Sequence, residues 1–242
     1  MKKGGEKMKG LKLAVQFLLG TADLGICFPL EKTTILKDFL KNPTKFSQKT
    51  QELVEHTPAC FPYFKAIAQL TGIQDPLAFE IVEAYFIGNH LLRNLERKSE
   101  QVREVLIRHF SKIQEKFLSL PNDFLPHHNF HVYLLGSVTG KIEPVPEVLN
   151  LCRISWARVV AYQKKEIVVE YRPIVWKKGR YVIDKKTTVS IPSTSQIISE
   201  IQEGDWVALH WNNLCAKLNP PQVKELYYFT QKAINLANRG ED

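Results

Sequence analysis

The hydrophobic period changes once along this chain, and that change limits the folds open to it. From Leu11 to about Leu120, apolar residues recur at three- and four-residue spacing, the signature of helices that bury one face. Leu36, Phe39 and Leu40 mark a short piece that ends before Pro43, and Phe61, Phe64, Ile67, Ala68 and Leu70 mark a second, closed by Gly72. Asp75-Pro76 opens a helix expected to run through Leu77, Ile81, Val82, Tyr85 and Phe86 to Leu92 and Leu95. It is apolar around most of its circumference, which places it centrally. Val102, Val105, Leu106, His109, Ile113 and Phe117 carry the pattern onto a further helix.

The turn-rich stretch Leu120 to Pro126 ends that pattern. His131 to Leu135 reads as a strand, Gly136 to Pro146 as a loop and Val148-Leu149 as a connector. From Cys152 the chain is β-rich: Ile154, Val159-Val160, Ile167 to Val169, Ile174 to Trp176, Tyr181 to Ile183, Val189 to Ile191 and Val207 to Leu209 are runs of strand formers. Lys164-Lys165 and Lys177-Lys178-Gly179 mark hairpin turns, and Asn219-Pro220-Pro221 opens a last helix with Asn as cap. The expected class is α+β. A tail at 1–10, rich in Lys and Gly, is expected to be disordered; 11–125 is a helical bundle; 126–150 is a connector; 151–238 is a small antiparallel β-barrel, closed or half-open and OB-like, with a terminal helix.

Charge and cysteine usage narrow the function classes. The four cysteines (Cys27, Cys60, Cys152, Cys215) are scattered with no CxxC pair, which suits a reducing compartment better than a disulfide framework. No apolar run reaches the roughly 18 residues of a membrane span, so the expectation is a cytoplasmic protein without a membrane partner. The formal charge is +8. Between Cys152 and Ser190, ten Lys or Arg stand against three Asp or Glu, which suits edge strands blunted by lysine, an acidic partner or nucleic acid. Phosphate loops, nucleophile elbows, HExxH and persuasive carboxylate pairs are missing, which points away from an enzyme.

Three constellations carry candidate chemistry. Gly204-Asp205 supplies a turn, Trp206 to Leu209 a strand, and His210 stands at its end. A barrel's first strand often lies near its last, so Cys152 and His210 can face one another across the mouth as a soft, iron-capable thiolate and imidazole pair; alternatively, each is a buried residue with satisfied neighbours. The second is His127, His128 and His131, the densest imidazole cluster, able to present two ring nitrogens to a metal or to hydrogen-bond the backbone where the two halves join. The third is Glu83 with Asn89, polar groups in the most apolar helix, which form either an internal network with Gly88 allowing close helix contact or a pocket wall facing His127 to His131.

The segment from Cys152 to Ile234 resembles the HypC-type chaperones of nickel-iron hydrogenase maturation, small barrels with a helical tail. Cys152-Arg153-Ile154-Ser155-Trp156-Ala157-Arg158-Val159 mirrors their first signature, and Gly204-Asp205-Trp206-Val207-Ala208-Leu209-His210 matches their second. Trp156-Ala157 stands where that family has Pro-Gly, Asn212 where it has Gly, and Cys152 is internal rather than the first residue. The helix at Glu83 together with the histidine cluster resembles an uncharacterised family of standalone proteins encoded near hydrogenase maturation genes. The resemblance implies an accessory protein or chaperone holding an iron atom that carries cyanide and carbon monoxide, through Cys152 and His210. Arg153, Trp156 and Trp211 would wall that site, and the partners would be hydrogenase maturation proteins or the hydrogenase large-subunit precursor. Two alternatives stand beside it: an OB-like nucleic-acid-binding protein using Tyr162, Tyr171, Trp176 and Tyr181 among the lysines, and a metal-dependent enzyme using the HHxxH region at His127, His128 and His131.

Overall fold

The apolar spacing before residue 120 folds into a set of helices around one continuous core. In the computed structural model, which describes residues 2–110, 113–136, 140–163, 166–192 and 201–241, these are α1 (Lys2–Asp23), α2 (Thr33–Lys41), α3 (Pro43–Glu55), α4 (Phe61–Thr71), α5 (Phe79–Phe86), α6 (His90–Leu95), α7 (Ser99–His109) and α8 (Gln114–Leu118). The short α9 (His128–Phe130) runs into a π-turn at His131–Leu135, and α10 (Pro146–Cys152) leads to the sheet. The strands are β1 (Ser155–Gln163), β2 (Glu166–Tyr171), β3 (Ile174–Lys177), β4 (Arg180–Ile183), β5 (Thr187–Pro192), β6 (Trp206–His210) and β7 (Asn213–Leu218), and α11 (Pro220–Ala237) ends the fold. α11 begins with a reciprocal capping box between Asn219 and Gln222, with proline in the first turn where no N–H is needed.

The mixed helix and antiparallel-sheet class holds, and several local expectations change. Residues 2–10 are the opening turns of α1 and not a disordered tail. Leu11, Ala14, Val15, Phe17 and Leu18 anchor that helix in the core, and a helix nucleated there propagates backward at little cost per residue. The single central helix expected from Leu77 to Leu95 is two, α5 and α6, because Gly88 adopts φ +93° and Asn89 caps α6 by accepting from the Leu91 N–H at 3.0 Å. The helix expected through Phe117 is likewise split into α7 and α8.

His131 to Leu135 is a π-turn rather than a strand: its apolar residues pack against α10 and α11 and find no strand to pair with. The connector at Val148-Leu149 is the middle of α10. Cys152 therefore ends a helix instead of entering the first strand.

The sheet is open, not a closed barrel. Its five strands run β5-β2-β1-β6-β7, all antiparallel, and β3-β4 form a separate two-stranded ribbon. Pro173, with no N–H to give a ladder, ends pairing after Tyr171, and the ribbon leaves the sheet there. The hairpin at Lys177-Lys178-Gly179 is present between β3 and β4, while that at Lys164-Lys165 lies outside the described residues.

One hydrophobic cluster takes residues from both halves, running from Phe17 and Phe86 to Ile154, Ala208, Cys215 and Phe229. α1 is the seam. It packs on α5 and on β7, and Gly20 lets it come close: a Cβ there would stand 2.6 Å from Asn213 Nδ2 and 3.0 Å from the His210 carbonyl oxygen. Among the described residues no helix is long and apolar enough to cross a membrane.

Candidate metal centre

His210 is placed by a tight hairpin and by α1. It ends β6 opposite Asn213, and the two residues between them, Trp211 (φ 51°) and Asn212 (φ 56°), both take left-handed backbone, as a two-residue primed turn requires. Asparagine tolerates that region, which accounts for Asn212 at a position where the resembling family has glycine. The His210 Nδ1 lies 2.7 Å from the Phe17 carbonyl oxygen on α1. A carbonyl only accepts, so Nδ1 carries the proton and Nε2 presents its lone pair, buried and without a hydrogen bond.

His128 is held from two sides. Its Nε2 lies 2.9 Å from the Cys152 carbonyl oxygen and therefore donates to it, leaving Nδ1 to accept from the Tyr85 hydroxyl at 3.2 Å. Asn129 clamps the segment. Its side chain donates to the Ile154 carbonyl at 3.0 Å and to the Thr230 hydroxyl at 2.7 Å, and accepts from the Ile154 N–H at 2.7 Å. One amide thus ties α9 to the strand entry and to α11.

His128, Cys152 and His210 come together: each offers one ligand atom, and these atoms lie within 4.8 Å of one another. The two imidazole rings stand 4.9 Å apart between centroids and nearly perpendicular, at 82°. Tetrahedral coordination at zinc-like bond lengths needs ligand atoms about 3.3–3.6 Å apart, so binding requires the three side chains to draw together. His210 already has what a ligating histidine needs, a ring N–H fixed on a backbone carbonyl and the other nitrogen idle, whereas His128 must release one of its two hydrogen bonds to bind. Three protein ligands leave a position open for exchange, unlike the closed four-ligand pattern of structural sites.

Burial keeps the apo site neutral. It pushes His210 and His131 down to about 4, and it also pushes His128 well below the usual histidine range, with His210 and His131 adding to the shift. It lifts the Cys152 thiol to about 12, with the nearby Cys27 adding to the rise and the Trp211 indole N–H offsetting part of it. Cys152 is of intermediate exposure as a residue, yet its thiol is enclosed. A metal must therefore displace the thiol proton, and affinity should rise with pH.

The buried histidines also make the fold sensitive to acid. Each has a folded pKa below its unfolded value near 6.5, so the unfolded chain binds more protons as pH falls. Stability from these groups is complete above about pH 6.5 and is lost as pH drops toward 4. Each histidine contributes a slope approaching 1.4 kcal/mol per pH unit in that window. Urea denaturation from pH 7 to 4.5 should show a steep loss of stability, lessened when His131 is replaced by Gln.

The other expected site residues fall in different places. His131 adjoins the cluster without joining it, with its Nδ1 3.5 Å from the Tyr85 hydroxyl and its ring 5.8 Å from that of His128. His127 faces elsewhere: it caps α9 by accepting from the Asn129 N–H at 3.1 Å, and its ring stacks on Phe229 at 5.4 Å. Burial pushes it down to about 3, partly offset by the Ile87 carbonyl. Glu83 and Asn89 form an internal network: Asn89 donates to Glu83 at 2.9 Å and Gln222 donates to Glu83 at 2.7 Å, tying α5 to the first turn of α11.

Trp156 packs edge-on against Tyr227, and Trp211 lies with its buried indole N–H toward the Cys152 thiol. The four aromatics of the nucleic-acid alternative do not share one platform. Tyr171 packs on the sheet core, Tyr162 donates to the Ile201 carbonyl, and Trp176 and Tyr181 pair across the ribbon while Tyr181 also meets Tyr133.

Two contributors were not singled out by sequence. Tyr85 bridges His128 and His131 from α5, and the Phe17 carbonyl fixes the His210 tautomer from a helix nearly 200 residues away in sequence. Tyr85 carries a weak signal, a polar tip in the most apolar helix. A backbone carbonyl carries none.

No curated protein and no solved structure matches the chain. A family model described as a family of unknown function, DUF6390, matches residues 7–241, spanning both the helices and the sheet, and the chain belongs to that family.

Proposed function

We propose that this chain is a non-catalytic accessory protein of nickel-iron hydrogenase maturation, which holds or passes an iron-ligand unit at Cys152, His210 and His128. The observation that carries the reading is convergence. Cys152 and His210, the two positions singled out by the HypC-type resemblance, come from elements about 60 residues apart in sequence and bring ligand atoms within 4.8 Å, with His128 beside them. We read the open five-stranded sheet with α11 as a half-open relative of the OB-like barrel, acting in the cytoplasm and docking to maturation proteins or to the large-subunit precursor.

Charge favours this cargo over a bare dication. The cluster contains one thiol and no carboxylate, so a bare divalent ion on one thiolate keeps a net positive charge and binds only with a further anion, such as hydroxide, in the open position. An iron that already carries anionic cyanide balances its own charge. Thiolate and imidazole are the softer donors that suit low-spin iron. Anaerobic reconstitution with the iron donor protein should give infrared bands of metal-bound cyanide and carbon monoxide, and Cys152→Ala should lose them. Absence of bands, or bands unchanged in Cys152→Ala, would sink the reading.

A further inference from the structure

Arg153, next to Cys152 in sequence, is 1% exposed, and no carboxylate pairs with it among the described residues. Its Nε donates to Asn150 Oδ1 at 3.1 Å and one terminal nitrogen donates to the Arg172 carbonyl at 2.5 Å, while the other, NH1, is buried without a hydrogen bond. A guanidinium stays protonated in proteins, so this is a buried positive charge held only by neutral acceptors and by the Trp156 ring 5.6 Å away. A second buried group is in the same condition. The Tyr133 hydroxyl makes no hydrogen bond and lies close enough to Arg153 to interact with it electrostatically.

We propose that Arg153 and Tyr133 form a binding site for a small carboxylate-type anion such as formate or bicarbonate, adjoining the Cys152 end of the metal centre. Such an anion accepts from the Arg153 guanidinium with one oxygen and from the Tyr133 hydroxyl with the other, which uses both idle donors and neutralises the charge. A groove of about 640 Å³ between β4 and α11 opens on the far side of Tyr181 from this pair. Tyr181 lines that groove and packs edge-on against Tyr133 at 5.1 Å, and Arg172 and Arg180 on its walls draw anions in. Asn150 completes the support, since its one carboxamide oxygen also accepts from the Ile174 N–H at 2.8 Å and cannot turn away from Arg153 without losing that bond.

The test uses full-length, chelator-treated protein, so the result is independent of whether the metal reading holds. Carbon-13-labelled formate and, separately, bicarbonate are titrated while line width and melting temperature are followed, with sodium chloride at matched ionic strength as control. The expected result is saturable one-to-one binding of at least one of the two and a raised melting temperature. Tyr133→Phe, which keeps the ring and its packing, should weaken binding about tenfold or more, the worth of a hydrogen bond to a charged group. Arg153→Met should abolish binding; if that variant does not fold, Tyr133→Phe decides alone. No saturable binding of either anion, chloride binding as tightly, or unchanged affinity in Tyr133→Phe would overturn the proposal.

Discussion

Gly88→Ala should lower the melting temperature by about 10 °C and unfolding free energy by about 2–5 kcal/mol. Two costs add. Gly88 sits at φ +93°, where a Cβ is strained by about 1–2 kcal/mol. A Cβ there would also stand 2.2 Å from Cδ2 of Phe229, so the ring must move or the backbone must yield, at about 1–3 kcal/mol. The conversion to temperature follows from the roughly 2–4 °C per kcal/mol expected at this chain length. The damage should also reach the histidines, because Phe229 stacks on His127, which caps α9. A calorimetric scan checks the size of the effect, and a loss under 1 kcal/mol would mean that the helix break at Gly88 relaxes freely.

Asn129→Leu should cost about 3–5 kcal/mol although the leucine is close in volume. The wild-type amide satisfies the Ile154 N–H, the Ile154 carbonyl and the Thr230 hydroxyl, all buried, and orphaned buried groups cost about 1–3 kcal/mol each. Thr230 keeps its own bond to the Leu226 carbonyl, so most of the loss falls at Ile154. Asn129→Asp keeps the acceptor, loses both donors and buries a charge, so it should be no better. Denaturant titration of the two variants measures this. Since the same amide holds α9 against the strand entry, metal affinity should fall in any variant that still folds.

What could be read from the sequence was mostly periodicity. The helical spacing before residue 120 and the β-branched runs after Cys152 gave the class, and Asn219 with its two prolines gave the last helix. Strand closure was not legible, because it depends on whether β3 and β4 stay in the sheet, and Pro173 with the packing of Tyr181 on Tyr133 takes them out. Nor was the break at Gly88 legible: a glycine in a helical pattern is tolerated until a ring such as Phe229 claims its space. The pairing of Cys152 with His210 was visible through the resemblance, while the choice of His128 over His127 and His131 was not. A one-residue shift on the short α9 turns the ring from Phe229 to Tyr85 and Cys152, and only tertiary contacts fix that register.

The central claim is that His128, Cys152 and His210 act as one metal-binding unit. Cobalt(II) titration of reduced, tag-free protein reads this most directly, since a cobalt–thiolate bond gives a charge-transfer absorption that imidazole alone does not. The account predicts one equivalent bound with that absorption and increasing affinity as pH rises. The absorption should be lost in Cys152→Ala, and affinity should fall about 10–100-fold or more in His128→Ala and in His210→Ala. Replacing the exposed His56 or His90 should leave both unchanged. Absence of the thiolate band at saturating cobalt, or its persistence in Cys152→Ala, would contradict the account.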